Sequence, residues 1–381
     1  MKILHLLYES KGDYFGIGGV GIRAYKLYGR LAGRHEITLL CKKYPGSADE
    51  AVIEGLRHVF VGARSPRLTA ALLSYACGAG RFVRRWGGRF DIIVEEFSPA
   101  IPTCLCFFRR RPVVLQIQGF TGRNYFGKYN PLYSGFLYGA ERFTPRLYRN
   151  IIVVSGASAN RYHFGSSSKV EVISNGVDPG LVAASARESG YILYLGRIDI
   201  HHKGLDILVS AFDGFCRHFP GIRLVVAGDG RDRKKFLGLV GSLPPQVRRN
   251  IELKGWVDGK EKEDLLASSL FSVVPSRYET QGIAALEALA SGKPVVVSDI
   301  PELAYVPSAG AGLSFRCGDA EGLSEAMQAL FLRRDRREMG KRGRALVMDA
   351  TWDRIASRYE EFLRDIVSPT GTDAKKIGAD L

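Results

Sequence analysis

The sequence predicts an α/β protein built from two doubly wound domains in tandem, each a mostly parallel sheet with helices on both faces. Short apolar strands alternate with helix-like segments along the whole chain. This series starts again at "YILYLG" (191–196), after a small and polar stretch. A chain of 381 residues has room for two or three domains. The restart of the strand and helix series favours two domains.

The first series predicts an N-terminal domain over residues 1–178. The strand "KILHLLYE" leads into a glycine-rich loop and the helix "VGIRAYKLYGRLAG". Further apolar runs predict the strands "HEITLLCK", "FDIIVEE", "PVVLQIQ" and "NIIVVS". The small, polar residues 179–189 predict a hinge after this domain.

The second series predicts a C-terminal domain over residues 190–350. A helix over 203–219 places five apolar side chains on one face, namely Leu205, Leu208, Val209, Phe212 and Phe215. Ligands of such sheets bind beyond the carboxyl ends of the strands, so we expect a site in a cleft between the two domains. A last helix is expected over 351–367, and it can cross back to the N-terminal domain. The polar residues 368–381 predict a mobile tail.

The positive charge of the chain is concentrated in its first half. The formal net charge is +15; residues 1–188 carry 26 Lys and Arg against 13 Asp and Glu, whereas residues 189–381 carry 28 against 26. Aromatic residues accompany this surplus in "RFVRRWGGRF", "CFFRRRP" and "ERFTPRLYRN". Two interpretations stay open, a solvated basic face and an anionic partner such as a lipid surface. We expect no nucleic-acid partner, because no recognition motif accompanies the charge.

Several functional classes are disfavoured by what the chain lacks. No apolar run approaches the roughly 20 residues of a membrane span, and "MKILHLLYES" is typical of a strand and not of a signal peptide. Among six cysteines only Cys104 and Cys106 are close, at a spacing that fits neither a zinc nor a redox pair. We therefore expect reduced thiols and a cytoplasmic protein, soluble or peripheral on a membrane.

Two stretches carry residues suited to an anion. The glycines of "FGIGGVG" (15–21) let backbone N–H groups approach an anion at the start of a helix, although such turns are also common without a ligand. In "YLGRIDIHHKG", Arg197 follows a strand and Lys203 opens the next helix. Two cations at this end of a strand suit a diphosphate, and the alternative is a pair of solvated surface cations.

The segment "PSRYETQGIAALEALASGKPVV" (275–296) carries two glutamates in apolar surroundings. We expect its helix to begin near residues 280–282, with Glu279 in the preceding turn and Glu287 about two turns into the helix. Glu279 can simply complement the helix dipole. A carboxylate at Glu287 is either buried against the sheet or directed at a polar group, for which ribose hydroxyls are a good match.

These stretches carry a resemblance to a known family. The second half strongly resembles the family-four retaining glycosyltransferases (glycosyl transferases group one) through "YLGRIDIHHKGLDILVSAF", "LVVAGDG", "LKGWV" and "VVPSRYETQGIAALEALASGKPVVVSDIPEL", in family order and spacing. The first half matches more loosely through "GGVG", "IIVVSGAS" and "VISNGVD". The resemblance implies the GT-B architecture, two Rossmann-like domains facing across a central cleft.

The resemblance also implies roles for individual residues. Glu279 would contact hydroxyls of a donor sugar, Glu287 would hold the ribose of its nucleotide, and Arg197 and Lys203 would bind the diphosphate. The catalytic candidates are thus Glu279, Arg197 and Lys203. The remaining donor-binding candidates lie in the matching stretches and are Gly18, Gly19, Gly228, Val257, Gly282 and Ile283.

Two positions depart from the family pattern. Gln118 ends "VVLQIQ", where many members have a histidine, and Gln281 stands where an aromatic residue is frequent. Glutamine cannot act as a general base, but it can hydrogen-bond a sugar hydroxyl, so Gln118 is the acceptor-side candidate. In a retaining front-face reaction the leaving phosphate itself can take the proton of the acceptor.

The resulting hypothesis is a retaining transfer of a hexose from a nucleoside-diphosphate sugar, GDP-mannose or a UDP-hexose, to a hydroxyl of a lipid-linked or cell-surface glycan. The chain has no Asp-x-Asp triplet, so we expect no metal and no cofactor beyond the donor. We expect the protein on the anionic inner face of the cell membrane. The alternatives are a nucleotide-sugar epimerase, a glycogen-type phosphorylase with a pyridoxal lysine, and a non-catalytic protein that binds nucleotide sugars or polyanions.

Overall fold

A computed structural model describes residues 1–103, 105–127 and 129–368. The described residues divide into two compact units, the first formed by Met1–Asn175 with residues 352–368 and the second by Gly176–Thr351. The first stretch of the first unit thus ends at Asn175, before residue 178, and residues 179–189 belong to the second unit. The predicted tail lies outside the described residues from residue 369 onward.

The first unit contains an eight-stranded sheet in the order β3-β4-β2-β1-β5-β6-β7-β8. Its strands are β1 (Lys2–Leu6), β2 (Glu36–Lys42), β3 (Glu50–Ile53), β4 (Leu56–Val61), β5 (Ile92–Glu96), β6 (Val113–Ile117), β7 (Asn150–Val153) and β8 (Lys169–Val172). All neighbours pair in parallel except β3 and β4. The strand order reverses between β1 and β5, which is where open sheets of this kind bind ligands.

Before its last strand, β8, the described part of the first unit contains the helices α1 (Gly19–Leu31), α2 (Leu68–Trp86), α3 (Pro131–Phe143) and α4 (Gly156–Ala159). The predicted first helix is confirmed, and α1 buries Tyr25, Tyr28 and Leu31 on one face. Arg23 on α1 is also fully buried, and its guanidinium donates to the carbonyl oxygens of Ile173 and Ser174 at 2.8 and 2.6 Å. α1 thereby holds the segment in which the first unit ends.

The second unit contains a fully parallel six-stranded sheet in the order β11-β10-β9-β12-β13-β14. Its strands are β9 (Tyr191–Leu195), β10 (Arg223–Ala227), β11 (Ile251–Gly255), β12 (Phe271–Val274), β13 (Val295–Ser298) and β14 (Gly312–Phe315). This is the strand order of the doubly wound dinucleotide-binding fold, with its switch point between β9 and β12.

The helices of the second unit are α5 (Pro179–Ala183), α6 (Ile200–Lys203), α7 (Leu205–His218), α8 (Arg233–Gly241), α9 (Pro245–Arg248), α10 (Gly259–Ser268), α11 (Ile283–Ala290), α12 (Tyr305–Ser308), α13 (Ala320–Leu332) and α14 (Arg336–Val347). The predicted apolar face of α7 is confirmed, because all five of its side chains are buried. The predicted hinge is not a plain linker: it contains α5, whose Leu181 is fully buried.

The last helix, α15 (Trp352–Val367), belongs to the first unit. Its buried face includes Trp352, Ile355 and Tyr359, which pack into the same apolar cluster as α1. The hydroxyls of Tyr28 and Tyr359 lie 3.1 Å apart inside this cluster. The burial explains the return of the chain to the first unit, because these aromatic and aliphatic side chains leave water there.

Among the described residues, no helix combines the length and the apolar character that a membrane crossing requires.

Candidate functional site

The switch point of the second unit brings two loops side by side. β9 and β12 are paired neighbours, with Leu193 opposite Ser272. Because parallel strands end at the same edge of a sheet, the loop after β9, with Arg197 and Lys203, leaves the sheet next to the loop after β12, with Glu279. The sequence placed Glu279 in a different motif from Arg197 and Lys203, and the sheet topology brings the two motifs to one edge.

Gly204 is the point at which these two loops touch. Lys203 ends α6, a single turn that Asp199 caps by accepting from the His202 N–H at 3.1 Å. Gly204 then adopts a left-handed conformation, with φ +64°. A Cβ at this residue would lie 2.0 Å from the carbonyl oxygen of Pro275, so only glycine allows this approach.

Lys203 and Glu279 form an ion pair in this edge. The Lys203 ammonium donates to Oε1 of Glu279 at 2.6 Å, and the Ser276 hydroxyl donates to the same oxygen at 2.7 Å. Glu279 is 9% exposed. Its carboxylate is thus held by one cation and one hydroxyl, an arrangement that fixes its orientation.

The buried Tyr194 and the partly buried Tyr305 support the loops around Glu279. Burial, and secondarily the Glu279 charge, raises the pKa of both Tyr194 and Tyr305, which keeps their hydroxyls protonated. Tyr194 donates to the carbonyl oxygen of Arg197 at 2.9 Å, and Tyr305 donates to that of Gln281 at 3.1 Å. Both tyrosines thus act as hydrogen-bond donors that tether the loops.

The Arg197 side chain is exposed and makes no ion pair with any residue that the structure describes. Arg277, in the neighbouring loop, contrasts with it, because its guanidinium forms two hydrogen bonds with the Asp206 carboxylate at 2.8 and 2.7 Å. Of these two arginines, Arg197 is therefore the one whose charge remains available to an external anion.

The start of α11 presents backbone donors at the same edge. α11 begins at Ile283, after Gly282, one residue beyond the predicted start near residues 280–282. Gly282 has φ +73°, and a Cβ there would lie 2.5 Å from Cδ2 of Leu303. Within the described part of the chain, the N–H groups of Gly282 and Ile283 have no acceptor. They are free to donate to an anion.

Glu287 lies on α11 and pairs with a lysine of α10. The Lys262 ammonium is 2.7 Å from Oε1 of Glu287 and 3.6 Å from Oδ2 of Asp178. Burial disfavours the charged ammonium, but the two carboxylates outweigh it and raise the pKa of Lys262. Of the two alternatives for Glu287, the structure shows a mostly buried carboxylate that faces a polar partner, here Lys262.

Gly228 and Val257 occupy structural positions behind the loops. Gly228 is buried, and a Cβ on it would lie 1.8 Å from the carbonyl oxygen of Gly196. Its N–H donates to the Gly255 carbonyl at 2.6 Å. Val257 is 6% exposed and packs in the apolar cluster of the second unit. Their contacts hold the ends of β9, β10 and β11 together.

In the first unit, the predicted anion site at the start of α1 is partly taken by a carboxylate. Oε2 of Glu9 accepts from the N–H groups of Gly18 and Gly21 at 2.8 and 2.9 Å. Burial raises the pKa of Glu9, and the two N–H groups partly offset this. The N–H of Gly19 has no acceptor among the described residues, and no atom lies within 4 Å of a Cβ built there. Gly19 therefore remains open to a phosphate, whereas Gly18 already has a partner.

Gln118 lies at the end of β6, next to a buried glutamate. Its Nε2 donates to both oxygens of Glu96 at 3.2 Å. Gln116 also donates to Glu96, and His5 Nε2 lies 3.3 Å from it. Because a carboxylate only accepts, the Gln118 amide turns its NH₂ inward and its carbonyl oxygen away. The carbonyl oxygen is then an acceptor for a hydroxyl group.

Three residues of these surroundings, Glu9, Glu96 and Lys262, were not predicted from the sequence. A local signal existed for the two glutamates, since Glu9 comes three residues after the apolar strand in "ILHLLYE" and Glu96 ends the apolar strand in "DIIVEE". Lys262 had no such signal, because it lies in a polar helix.

No group of three or more His, Cys, Asp or Glu within the described residues could hold a metal ion. Cys41, Cys77, Cys106, Cys216 and Cys317 form no disulfide.

The two halves of the chain match two family models. Residues 17–181 match the model described as Glycosyltransferase Family 4. Residues 183–346 match the model described as Glycosyl transferases group 1.

Among similar curated proteins are phosphatidyl-myo-inositol mannosyltransferases. That of Propionibacterium freudenreichii subsp. shermanii is 28% identical over 366 residues and covers 89% of each chain. That of Mycobacterium leprae is 31% identical over 304 residues, covering 76% of this chain and 78% of the relative. A glycogen synthase of Mycobacterium tuberculosis is 27% identical over 378 residues, 90% of this chain and 89% of that protein.

Solved structures share the fold. Sucrose-phosphate synthase from Thermosynechococcus elongatus superposes with a TM-score of 0.80 at 20% identity, over 97% of this chain and 99% of that one. Anabaena HepE in complex with UDP and glucose gives a TM-score of 0.71 at 16% identity, over 96% of this chain and 100% of that one.

Proposed function

The chain belongs to glycosyltransferase family 4 (glycosyl transferases group 1), and from this we propose that it moves a hexose from a nucleoside-diphosphate sugar to a hydroxyl of a lipid-linked or cell-surface glycan, with retention of configuration. The donor in this proposal is GDP-mannose or a UDP-hexose. This choice of donors is supported by relatives called mannosyltransferases and by a HepE structure with UDP and glucose. The fold likeness alone does not carry function.

The observation that carries the proposal is the edge between β9 and β12. It presents the exposed Arg197, the Lys203–Glu279 pair and the open N–H groups of Gly282 and Ile283 on adjacent loops. A diphosphate needs several donors that converge on its oxygens, and a sugar needs a fixed carboxylate that accepts from its hydroxyls. This edge offers both.

In the proposed reaction, Arg197, Lys203 and the helix-start N–H groups stabilise the negative charge of the departing diphosphate. Such preorganised electrostatic stabilisation usually lowers a reaction barrier more than any other single effect, and the loss of one donor raises the barrier by roughly 2.7–4 kcal/mol. Glu279 accepts from hydroxyls of the sugar. The proton of the acceptor hydroxyl goes to the leaving phosphate, because Gln118 cannot serve as a base.

The nucleotide is proposed to lie along α11, with Glu287 holding the ribose. A carboxylate has about four acceptor positions, and Lys262 uses one at Oε1. The remaining capacity suits the two ribose hydroxyls. Lys262 acts in this proposal as a positioning residue for Glu287.

We propose that no metal takes part, since two cations and two backbone N–H groups can replace a metal at the diphosphate. Activity should then persist in EDTA. A loss of activity on chelation, restored by Mn²⁺ or Mg²⁺, would overturn this part.

The first unit is proposed to meet an anionic membrane. An α3 aromatic surface is exposed on it, formed by Phe126, Tyr129, Leu132, Tyr133 and Phe136. Leu132 is 90% exposed. Arginines follow along the same stretch at Arg142 and Arg146. Exposed aromatic and aliphatic side chains beside basic ones suit the interface of an anionic bilayer.

Vesicle sedimentation tests the membrane proposal. Wild type should bind vesicles with anionic lipid more strongly than neutral vesicles at physiological salt, and Leu132→Ser with Phe136→Ser should weaken this. The exposed Leu237 of the second unit provides a matched control, as Leu237→Ser. Equal binding to both vesicle types would refute the proposal.

The test of the proposed reaction is a panel of UDP-, GDP- and ADP-sugars scored for nucleotide release. Release from one donor, lost in Glu279→Gln and Arg197→Ala, supports the transferase and names its donor. Conversion of the sugar without nucleotide release would instead indicate an epimerase. Neither binding nor release with any donor would favour a non-catalytic protein.

A further inference from the structure

A pocket of about 410 Å³ lies in the first unit, directly beyond the loop that follows Gln118. Its lining residues include Phe120, Asn124 and Tyr138 and three arginines, Arg123, Arg142 and Arg161. Within the described part of the chain, no carboxylate lines it. None of the donor-binding candidates belongs to it.

The three arginines of the pocket differ in the partners that they already have. Arg123 is exposed and forms no ion pair with a described residue. Arg142 donates to Nε2 of His163 at 3.0 Å, and since arginine only donates, this nitrogen acts as an uncharged acceptor. Arg161 lies over the Phe120 ring, with its Cζ 5.9 Å from the centroid, and interacts with the charge of Glu141. Arg123 and Arg142 thus make no ion pair with a described residue, whereas Arg161 already interacts with Glu141.

Glu141 holds the wall of the pocket in place. It is 2% exposed, and its carboxylate accepts from the N–H groups of Thr121 and Gly122 at 2.8 and 2.7 Å. The Tyr162 hydroxyl donates to the Gly119 carbonyl at 2.8 Å, which fixes the same loop from the other side. The wall is therefore shaped by buried hydrogen bonds before any ligand binds.

We propose that Arg123, Arg142 and Arg161 form a binding site for a phosphate group of the acceptor substrate. Arginine matches phosphate oxygens in planar, two-point geometry, and three arginines around one pocket suit a phosphate mono- or diester. The pocket wall begins at Phe120, just after Gln118, so the phosphate would be held near the outward carbonyl of Gln118. The acceptor is then a phosphorylated alcohol or polyol, with its reacting hydroxyl on a neighbouring carbon.

This inference rests on the proposed function for the role of the bound molecule, but not for the binding itself. The phosphate has two possible sources, a lipid headgroup and a soluble phosphate ester. The exposed Phe126, which belongs to the α3 aromatic surface, contacts Tyr138 of the pocket with ring centroids 6.3 Å apart. A lipid chain could follow this surface while its phosphate occupies the pocket.

The test is calorimetric titration of the full chain with glycerol 1-phosphate and, separately, with glycerol. We expect wild type to bind the phosphate ester and not glycerol. Arg123→Ala and Arg142→Ala should each raise the dissociation constant roughly tenfold, because each variant loses one charge-assisted contact. Arg67→Ala removes an exposed arginine outside the pocket and should leave binding unchanged. Because Arg123 is exposed, its variant also keeps the result interpretable if Arg142→Ala fails to fold.

A second arm distinguishes the two sources. Vesicles of phosphatidylcholine with phosphatidic acid are compared with vesicles in which phosphatidylserine supplies the charge. A preference for phosphatidic acid that Arg123→Ala removes and Arg67→Ala leaves intact assigns the pocket to a lipid headgroup. Binding of glycerol 1-phosphate alone assigns it to a soluble ester.

Two outcomes would overturn the inference: neither probe binds, or Arg67→Ala weakens binding as much as Arg123→Ala. Nucleotide release in the absence of acceptor separates this result from the proposed function. A protein that binds the phosphate probe but releases no nucleotide from any donor contradicts the transferase, whereas one that releases nucleotide and ignores both probes contradicts the pocket.

Discussion

The ammonium of Lys203 lies 2.6 Å from Oε1 of Glu279, although the two residues are 76 positions apart in the chain. The resemblance assigns them to different parts of a donor, the diphosphate and the sugar. The structure joins them in one ion pair, with side-chain exposures of 22% and 10%. A diphosphate that binds Lys203 must therefore compete with, or share, the charge that Glu279 already neutralises.

This pairing predicts strong non-additivity between Lys203→Met and Glu279→Gln. Each single variant removes one partner and leaves the other poorly compensated, so each should lower the rate of nucleotide release by about 10²–10³-fold. The double variant should be far less impaired than the product of the two effects, as in other coupled pairs. Steady-state nucleotide release measures this, and strictly multiplicative losses would contradict it.

The control for this comparison of single and double variants is the exposed pair of Arg217 with Asp213 on α7, in which the arginine side chain is 74% exposed. Arg217→Met should change neither nucleotide release nor the melting temperature appreciably, because surface pairs contribute ~0–1 kcal/mol.

Gly282→Ala should destabilise the protein and impair donor binding. The residue has φ +73°, and its new Cβ would meet Cδ2 of Leu303 at 2.5 Å. Such strain costs about 1–3 kcal/mol. Gly238→Ala is the matched control, because Gly238 lies inside α8 with no atom within 4 Å of an added Cβ. That change should be neutral or stabilise by about 0.4–1 kcal/mol. Urea denaturation measures both, and equal effects of the two variants would refute the argument.

Gln118→Glu should destabilise the first unit at neutral pH. The new carboxylate would replace an NH₂ group that lies 3.2 Å from both oxygens of Glu96, which is 4% exposed. We expect a loss of about 2 kcal/mol in the free energy of unfolding, because a hydrogen bond to a charge becomes a repulsion.

Adding Glu96→Gln to Gln118→Glu exchanges the two side chains and should restore much of this stability. Urea midpoints of the single and double variants at neutral pH measure the rescue. A Gln118→Glu variant as stable as wild type would show that the Gln118–Glu96 contact does not contribute to the free energy of unfolding.

Glu95 should make the stability of the first unit depend on pH between about 4.5 and 7. Burial raises the pKa of Glu95 from 4.5 to about 7, even though the Thr103 and Tyr148 hydroxyls donate to it and oppose the shift. The folded chain therefore holds this proton more tightly than the unfolded chain does. The resulting stability is fully present below pH 4.5 and is lost as the pH rises through 7.

Relative to Glu95→Gln, wild type should lose on the order of 3 kcal/mol of unfolding free energy across that window. Urea denaturation of both proteins at several pH values gives the two slopes. The readout is the difference in slope, because the substitution itself can change stability at every pH. Parallel pH profiles would contradict the raised pKa.

Local features of the sequence were sufficient for the elements and for the position of the site along the chain. The start of α11 at Ile283 and the apolar face of α7 agree with the prediction, because glycine punctuation and helical periodicity are properties of neighbouring residues. The same reasoning did not predict α5 within residues 179–189. Their small polar character resembles a linker, but burial of Leu181 stabilises α5 there.

The sequence by itself determined that strands alternate with helices, that the series runs twice, and that Arg197, Lys203 and Glu279 follow strand ends. Only the tertiary structure decided which partners these residues meet. It pairs Lys203 with Glu279 and Glu287 with Lys262, places Glu9 against Gly18, and returns α15 to the first unit. The physical reason is that strand order and helix packing follow from burying apolar surface over the whole chain, and the contacts of a polar side chain are set by which strands become neighbours.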